Sequence, residues 1–484
     1  MLEKYKQISK WPRLSETLKT VAVYPEDKNY KALAANLYKI GTPQLIIQAQ
    51  NESQVKETVK YVNGLRQSTG QKIPFAIKSG GHSLSSVNDG GVILDLGKLN
   101  QIQVVDETKG LVKIGPGAIF SEISKALAPY NLVLTSGDTP DVAAGGLATS
   151  GGIGYFSRLF GLTIDHLKGA RLITADGSLH LVDDHHFPDL FWAIRGGNSQ
   201  VGIVTQFLFA AQKLVGKGKG KAKKAPVIFQ NINYQTQDLP DFIFKWGKWI
   251  KSAPRHLTSF LYIFMGHPDK KNVGNFANET QKTLSYPLSV MALNCWAGDD
   301  QKKAAPYFSA ALKIASVQKS SPQILMSYAD LVSGPKTVHF GQNKNFFRGA
   351  LVDSADKKLG QAIEQSLRNP ATSMIQIRSI DGAVSDVDSM ETAFPARSQD
   401  ATVWFMGDVS MPKAGQEAYQ PIENISDFEY SASNHDEHPS TISRLWPKDT
   451  GQKLAQIVKK ADPQGLFDAG PVLSKNQDFQ KTSS

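Results

Sequence analysis

The sequence predicts an α+β protein: a glycine-shaped N-terminal region, followed by a separate block of strands and helices. Three observations carry this. Strand-like and helix-like periodicities alternate from residue 43 onward. Half of the 40 glycines fall between Gly80 and Gly202, and the composition breaks between Lys213 and Pro226. At 484 residues with 41% hydrophobic content, the chain is long enough for two or three domains with real cores, which excludes general disorder.

The elements follow in order. PQLIIQA, from Pro43 to Ala49, is a β-rich run, and Glu52 to Gln67 places Val55, Val59, Val62 and Leu65 at helical spacing. IPFAIK, ending at Lys78, returns as a strand, so the segment opens as a βαβ unit. GVILDLG, QIQVVD and LVKIGPG are short strands bounded by Gly and Asp turns, and a helix is expected from Ala118 to Leu127. RLITADGSLHLVD reads as a hairpin turning at Asp176-Gly177. Beyond the break, VIFQNINY, TSFLYIFM and PLSVMALNCWA are strands separated by helices over Asp241–Ser252 and Gln301–Ala315. A last helix, Thr450 to Lys460, is stopped by Asp462-Pro463.

The net charge of +10 resembles a nucleic-acid signature until it is located. KLVGKGKGKAKK, Lys213 to Lys224, holds six lysines and no acid, which leaves the rest of the chain near +4. Alternating Gly and Lys forms no stable helix and no aromatic is interleaved, so the run reads as a solvated loop; neither nucleic acid nor membrane is expected as a partner. One cysteine, Cys295, excludes an internal disulfide and a cysteine-based zinc cluster. The opening residues lack an apolar signal-like stretch and no run approaches 18 apolar residues, so a cytoplasmic protein is expected. The N-x-[ST] matches at Asn51, Asn278 and Asn424 occur at about chance frequency. No feature of the sequence sets an oligomeric state.

Three glycine-rich segments carry the chemistry. In Lys78-Ser79-Gly80-Gly81-His82-Ser83, two glycines after a strand let backbone N–H groups converge and admit a phosphate or a flat ring, with an imidazole at the rim. Thr135 to Tyr155 contains six glycines and five Ser or Thr, a composition suited to backbone wrapped around an extended phosphate-bearing ligand. Asp189 to Thr205, DLFWAIRGGNSQVGIVT, again sets glycines between an aromatic helix and an apolar strand. Neither GxGxxG nor the Walker pattern is present, which disfavours a nicotinamide-type Rossmann site and a nucleoside triphosphatase. Three separated glycine clusters imply one large ligand.

KSGGHS, GGLATSGGIG, FGLTIDHL, RLITADG and FWAIRGGNSQVGIVT together resemble the berberine bridge enzyme-like flavoprotein oxidases of the vanillyl-alcohol-oxidase superfamily. The resemblance covers about residues 40 to 210 and resumes at Glu391–Arg397 (ETAFPAR) and Ala461–Phe467 (ADPQGLF). It implies a PCMH-type, two-subdomain FAD-binding domain that is discontinuous, residues 1–212 and 425–484. An antiparallel-sheet-plus-helices substrate domain is inserted over 213–424. It also implies FAD held covalently through His82. The cofactor contacts it points to are Lys78, Ser79, Gly80, Gly81, His82 and Ser83; Ser136, Gly137, Thr139, Val142, Gly145, Gly146, Thr149, Ser150, Gly152 and Gly154; and Gly202, Ile203 and Val204. Four departures matter. Thr139 stands where many relatives have a second, cysteine link, so a single link of the monocovalent type is expected. Leu147, Ala396 and Thr450 replace a His, a His and an Asn of the family pattern.

The activity implied is removal of a hydride from a CH–OH or CH–NH carbon of a small organic substrate, with reoxidation by O2 giving hydrogen peroxide. A dehydrogenase or cyclase on the same scaffold is the alternative. Tyr155 and Tyr430 are the candidate catalytic bases, and Arg397 either orients a polar substrate or closes an ion pair. A metal-dependent hydrolase using His435-Asp-Glu-His438 is a weaker reading: Pro439 follows, the flanks are loop-like and no third ligand cluster accompanies the pair, so no metal is expected.

Overall fold

The computed structural model describes residues 11–217, 224–264, 287–334, 341–342, 344–430 and 439–473. The centre of the lysine run and His435-Asp436-Glu437-His438 lie outside the described residues.

The first sheet has four strands in the order Ala22–Val23, Leu45–Gln48, Val92–Asp95, Phe75–Lys78. Leu45–Gln48 and Phe75–Lys78 both run parallel to Val92–Asp95, so the expected βαβ crossover straddles a third strand. Its helix, Glu52–Thr69, starts where the Asn51 side chain accepts from the Gln54 N–H at 3.1 Å and ends at Gly70, φ +63°. Val55, Val59, Val62 and Leu65 recur at helical spacing and pack onto Leu45, Ile47, Phe75 and Leu94.

A second sheet is antiparallel throughout, in the order Ile102–Asp106, Leu111–Ile114, Ile203–Ala210, Leu167–Ile173, Leu179–Val182. Its hairpin turns at Asp176-Gly177. Gly177 adopts φ +79°, and the Asp176 carboxylate accepts from the Ser178 N–H at 2.9 Å and from the Thr174 hydroxyl at 2.7 Å.

The inserted block is a nine-stranded antiparallel sheet. Period-two alternation divides its two faces. Leu261, Ile263, Ile375, Ile377, Val403 and Phe405 join the core under helices Leu239–Ser252, Gln301–Ala311, Lys357–Leu367 and Pro412–Glu423. Tyr262, Gln376, Arg378, Trp404 and Met406, at the intervening positions, line a cavity instead. The last strand of this sheet, Phe428–Glu429, lies beyond residue 424, where the sequence placed the end of the insert; too short to show periodicity, it pairs with Asn345–Val352.

The chain then returns to the N-terminal region. Ile442, Leu445, Leu454 and Ile457, from helices Pro439–Leu445 and Lys448–Ala461, and Trp446 between them pack with Phe191, Trp192 and Phe207. Leu466 and Phe467 complete the core of the first sheet. The Asp462 carboxylate, just past the helix, accepts from the N–H groups of Leu466 and Phe467, both at 2.7 Å.

Arg158 pins the two regions together. Its guanidinium is buried, pairs with Asp381 and donates to the carbonyls of Ala253, Pro254 and Leu257. Arg158→Met removes the charge and leaves those acceptors short of donors, so unfolding in urea is expected to cost about 3 kcal/mol less than in the parent.

Candidate functional site

The cavity, of about 590 Å³, lies between the glycine-rich segments and the inward face of the inserted sheet. That volume falls in the ~300–1,000 Å³ typical of cofactor and ligand sites.

Strand Phe75–Lys78 delivers the chain to Gly80 and Gly81. Gly81 has φ +74°, and a Cβ on Gly80 would stand 2.8 Å from the Ala143 backbone nitrogen, so these two segments pack backbone to backbone. His82 follows at the cavity wall, its Nε2 3.4 Å from Oδ1 of Asp141. In helix Ala144–Ser150, Gly146 lines the cavity and a Cβ there would meet nothing within 4 Å. Bare backbone thus faces open space, a cradle that a side chain would fill.

The structure brings Ser79, Gly80, Gly81, His82, Ser83, Gly137, Thr139, Val142, Gly145, Gly146, Thr149, Ser150, Ile203 and Val204 to this cavity. It does not bring Lys78, Ser136, Gly152, Gly154 or Gly202 to the lining. The Lys78 ammonium points the other way, donating to the Leu33 carbonyl at 2.7 Å with Asp95 at 3.9 Å; burial lowers its pKa and Asp95 opposes the shift. Ser136 shares a hydrogen bond with the Tyr328 hydroxyl. Gly154 and Gly202 are required by close backbone approach: a Cβ would lie 1.3 Å from the Ser136 oxygen and 2.5 Å from the Ile173 oxygen. The Gly152 N–H donates to the Tyr430 hydroxyl at 3.1 Å, so this glycine acts through Tyr430.

The two candidate bases separate cleanly. Tyr155 is absent from the lining; its ring stacks on Phe260 with centroids 4.6 Å apart, in a core with Phe156 and Val227. The turn that follows the glycines packs Tyr155 into hydrocarbon, and burial drives its pKa well up. Tyr430 lines the cavity, edge-on to Trp404 and Phe394. Burial raises its pKa, while the Gly152 amide, Arg378 and the Ile153 amide pull it back. Arg397 is not in the lining: it closes an ion pair with Asp165 at 3.0 Å and donates to the Thr392 hydroxyl at 2.7 Å. Of the family departures, Thr139 and Leu147 line the cavity, whereas Ala396 and Thr450 are buried elsewhere. Cys295 is buried, and its thiol pKa is raised by that burial.

Several lining residues were not among the expected contacts, although some lie in the segments the sequence singled out. Asp138 and Arg378 meet at 2.7 Å across 240 positions of chain. Asn198, Ser199 and Gln200 sit beside the predicted Gly202–Val204, and Ser150 is 2.8 Å from the Asn198 side-chain oxygen. Phe467, Ala469, Pro471 and Val472 close one end, held where Gln200 accepts from the Leu473 N–H at 2.8 Å. Among the described residues, no group of three or more His, Cys, Asp or Glu side chains is placed to hold a metal, and no helix is long and apolar enough to cross a membrane.

Comparison with known proteins agrees with this geometry. Residues 43–183 match the family model described as FAD binding domain. The chain is 35% identical over 191 residues to (R)-6-hydroxynicotine oxidase of Paenarthrobacter nicotinovorans, covering 38% of this chain and 40% of that protein. It spans about two fifths of the length of the curated relatives it matches first. Its fold is similar to that of 6-hydroxy-D-nicotine oxidase from Arthrobacter nicotinovorans, with TM-score 0.76 and 20% identity over 93% of this chain and 97% of that one. It is likewise similar to glucooligosaccharide oxidase from Acremonium strictum, described with a 6-S-cysteinyl, 8α-N1-histidyl FAD. There the TM-score is 0.74 and the identity 20%, over 94% of this chain and 96% of that one.

Proposed function

We propose that the chain is an FAD-linked oxidoreductase of the berberine bridge enzyme-like kind, on the premise that residues 43–183 match an FAD binding domain. Its substrate is a small organic molecule with an oxidisable CH–OH or CH–NH carbon. The observation that carries this reading is one cavity with two unlike walls. Glycine-lined backbone with His82 forms one, and aromatic side chains from the inserted sheet form the other, with the Tyr430 hydroxyl beside them and the Asp138–Arg378 ion pair joining the two walls.

The residues present fit the cofactor. Gly146 leaves open space for a flat ring or a phosphate chain, Ser79, Ser83, Thr149 and Ser150 add hydroxyls, and His82, in the same lining, would tether the ring. Thr139 occupies the place of the second, cysteine link, which supports a single attachment through His82. Bound here, the flavin supplies a two-electron acceptor that O2 reoxidises with release of hydrogen peroxide.

The protein's own part is to hold and deprotonate the substrate. Tyr430 presents the one hydroxyl of the two candidates that reaches the cavity, and the Gly152 amide fixes its oxygen at 3.1 Å. Taking the substrate O–H or N–H proton at that oxygen makes Tyr430 the base. The inserted sheet excludes water and sets the approach of the reacting carbon.

The test is anaerobic mixing with a panel of alcohols and cyclic amines. Bleaching of the flavin band, with recovery and peroxide on admitting air, is the expected result; bleaching without recovery in air makes the protein a dehydrogenase, and no bleaching by any alcohol or amine removes the reading. Tyr155→Phe is expected to leave flavin content and turnover at the parent level by absorbance and oxygen uptake, because its hydroxyl sits outside the cavity.

A further inference from the structure

The loop that carries His82 is gripped from outside by one buried amide. Asn36, which precedes strand Leu45–Gln48, has no exposed surface, and each of its polar groups is engaged. Its Nδ2 donates to the Ser83 and Leu84 carbonyls, both at 3.0 Å. Its Oδ1 accepts from the N–H groups of Tyr38 at 2.9 Å and Lys39 at 2.8 Å, which turns the chain back on itself. The N–H of the next residue, Leu37, donates to the Gly81 carbonyl at 2.8 Å. Two adjacent residues therefore hold carbonyls on both sides of His82.

The same segment reaches the inserted block. The Asn36 carbonyl accepts from the Gly341 N–H at 2.6 Å, and Tyr38 lines the cavity edge-on to Phe347, ring centroids 5.9 Å apart. A buried amide is costly unless satisfied, and one whose donors serve one loop while its acceptor serves another fixes the two loops against each other. The His82 loop keeps a turn of its own without that amide, since the Ser83 carbonyl also accepts from the Ser86 hydroxyl at 2.6 Å. What Asn36 adds is the placement of that turn.

We propose that Asn36 is the positioning residue for attachment of the flavin: it holds the His82 loop where the imidazole meets the flavin methyl carbon. This deepens the flavin-linked reading and rests on it, and on the link through His82. The link replaces one C–H bond of the methyl group and the imidazole N–H by a C–N bond; the two electrons and two protons released pass to O2 as hydrogen peroxide. Asn36 exchanges no atom in this step. It acts on geometry alone, where a misplacement of about 1 Å costs on the order of 10²-fold in rate.

The test divides the flavin of freshly purified full-length protein between acid pellet and supernatant, then follows the pellet share during incubation with added FAD. The parent is expected to hold its flavin in the pellet from the start. Asn36→Asp keeps an acceptor for the Tyr38 and Lys39 N–H groups but loses the donor to Ser83 and Leu84. It is expected to purify yellow with total flavin near the parent's and a pellet share at least about tenfold lower, rising slowly with incubation. Asn36→Ala, which buries no carboxylate, is expected to do the same and answers should the first variant fail to fold. Lys39→Ala removes a surface pairing with Asp89 and leaves the backbone N–H in place, so its pellet share should match the parent's. A merely structural Asn36 would lower total flavin or stability and leave the pellet share of the bound flavin unchanged; that result overturns the proposal, as does a yellow parent whose flavin is all in the supernatant. Colourless parent protein defeats the flavin-linked reading itself.

Discussion

His82→Ala is expected to convert a protein that keeps its flavin through acid precipitation into one that surrenders all of it to the supernatant. The parent pellet should be yellow and give a fluorescent band on a denaturing gel; the variant pellet should be colourless. The reasoning starts from geometry. His82 is the imidazole in the cavity lining, with its Nε2 3.4 Å from the Asp141 carboxylate. An imidazole side chain is a nucleophile able to bond to a flavin methyl carbon. The cradle does not depend on the link: Gly81, Gly146, Thr149 and Ser150 remain, so the variant should still purify yellow. Its turnover should fall, because the unlinked ring is the weaker acceptor and each 30 mV of lost two-electron potential corresponds to about 1.4 kcal/mol. Flavin in the acid supernatant of the parent would remove the tether while leaving the cofactor assignment intact.

The sequence exposed the glycine wall because glycine is the residue that backbone crowding selects, and crowding leaves a compositional trace. Gly80 against Ala143 and Gly154 against Ser136 belong to that trace, although only the first lines the cavity. Composition therefore located the segments but could not separate glycines that face the ligand from glycines that let two strands of backbone meet. Lys78 misled for a related reason: a lysine at the end of a strand beside a Gly pair resembles a phosphate ligand, yet alternation turns it to the far side, toward Leu33 and Asp95. The opposite wall was illegible. Gln376 and Arg378 are polar residues alternating with Ile375 and Ile377, and only the sheet's placement over residues 137–139 makes them partners of Asp138. Pairing at that separation leaves no local pattern to read.

Tyr430→Phe should lower turnover by a factor on the order of 10²–10⁴, the usual contribution of a positioned general base, with little change in KM. The phenyl ring keeps its edge-on contacts with Trp404 and Phe394, so the cavity shape is preserved. What disappears is the oxygen. The Gly152 N–H, held to it at 3.1 Å, then loses its acceptor, a loss of about 1–3 kcal/mol of stability that denaturant unfolding would register. The pH profile separates catalysis from that structural effect. Burial holds the Tyr430 pKa above its ordinary 10, so at neutral pH nearly all of it is the phenol and only a small fraction can accept a proton. That fraction grows tenfold per pH unit, so the parent's rate should climb with pH across the whole range below the raised pKa. The Gly152 and Ile153 amides and the Arg378 cation restrain the shift by favouring the phenolate. In Tyr430→Phe the climb should vanish while the flavin band remains, which a merely shape-giving tyrosine would not produce. A variant that retains both the parent rate and its alkaline rise would pass the role of base to another group in the cavity.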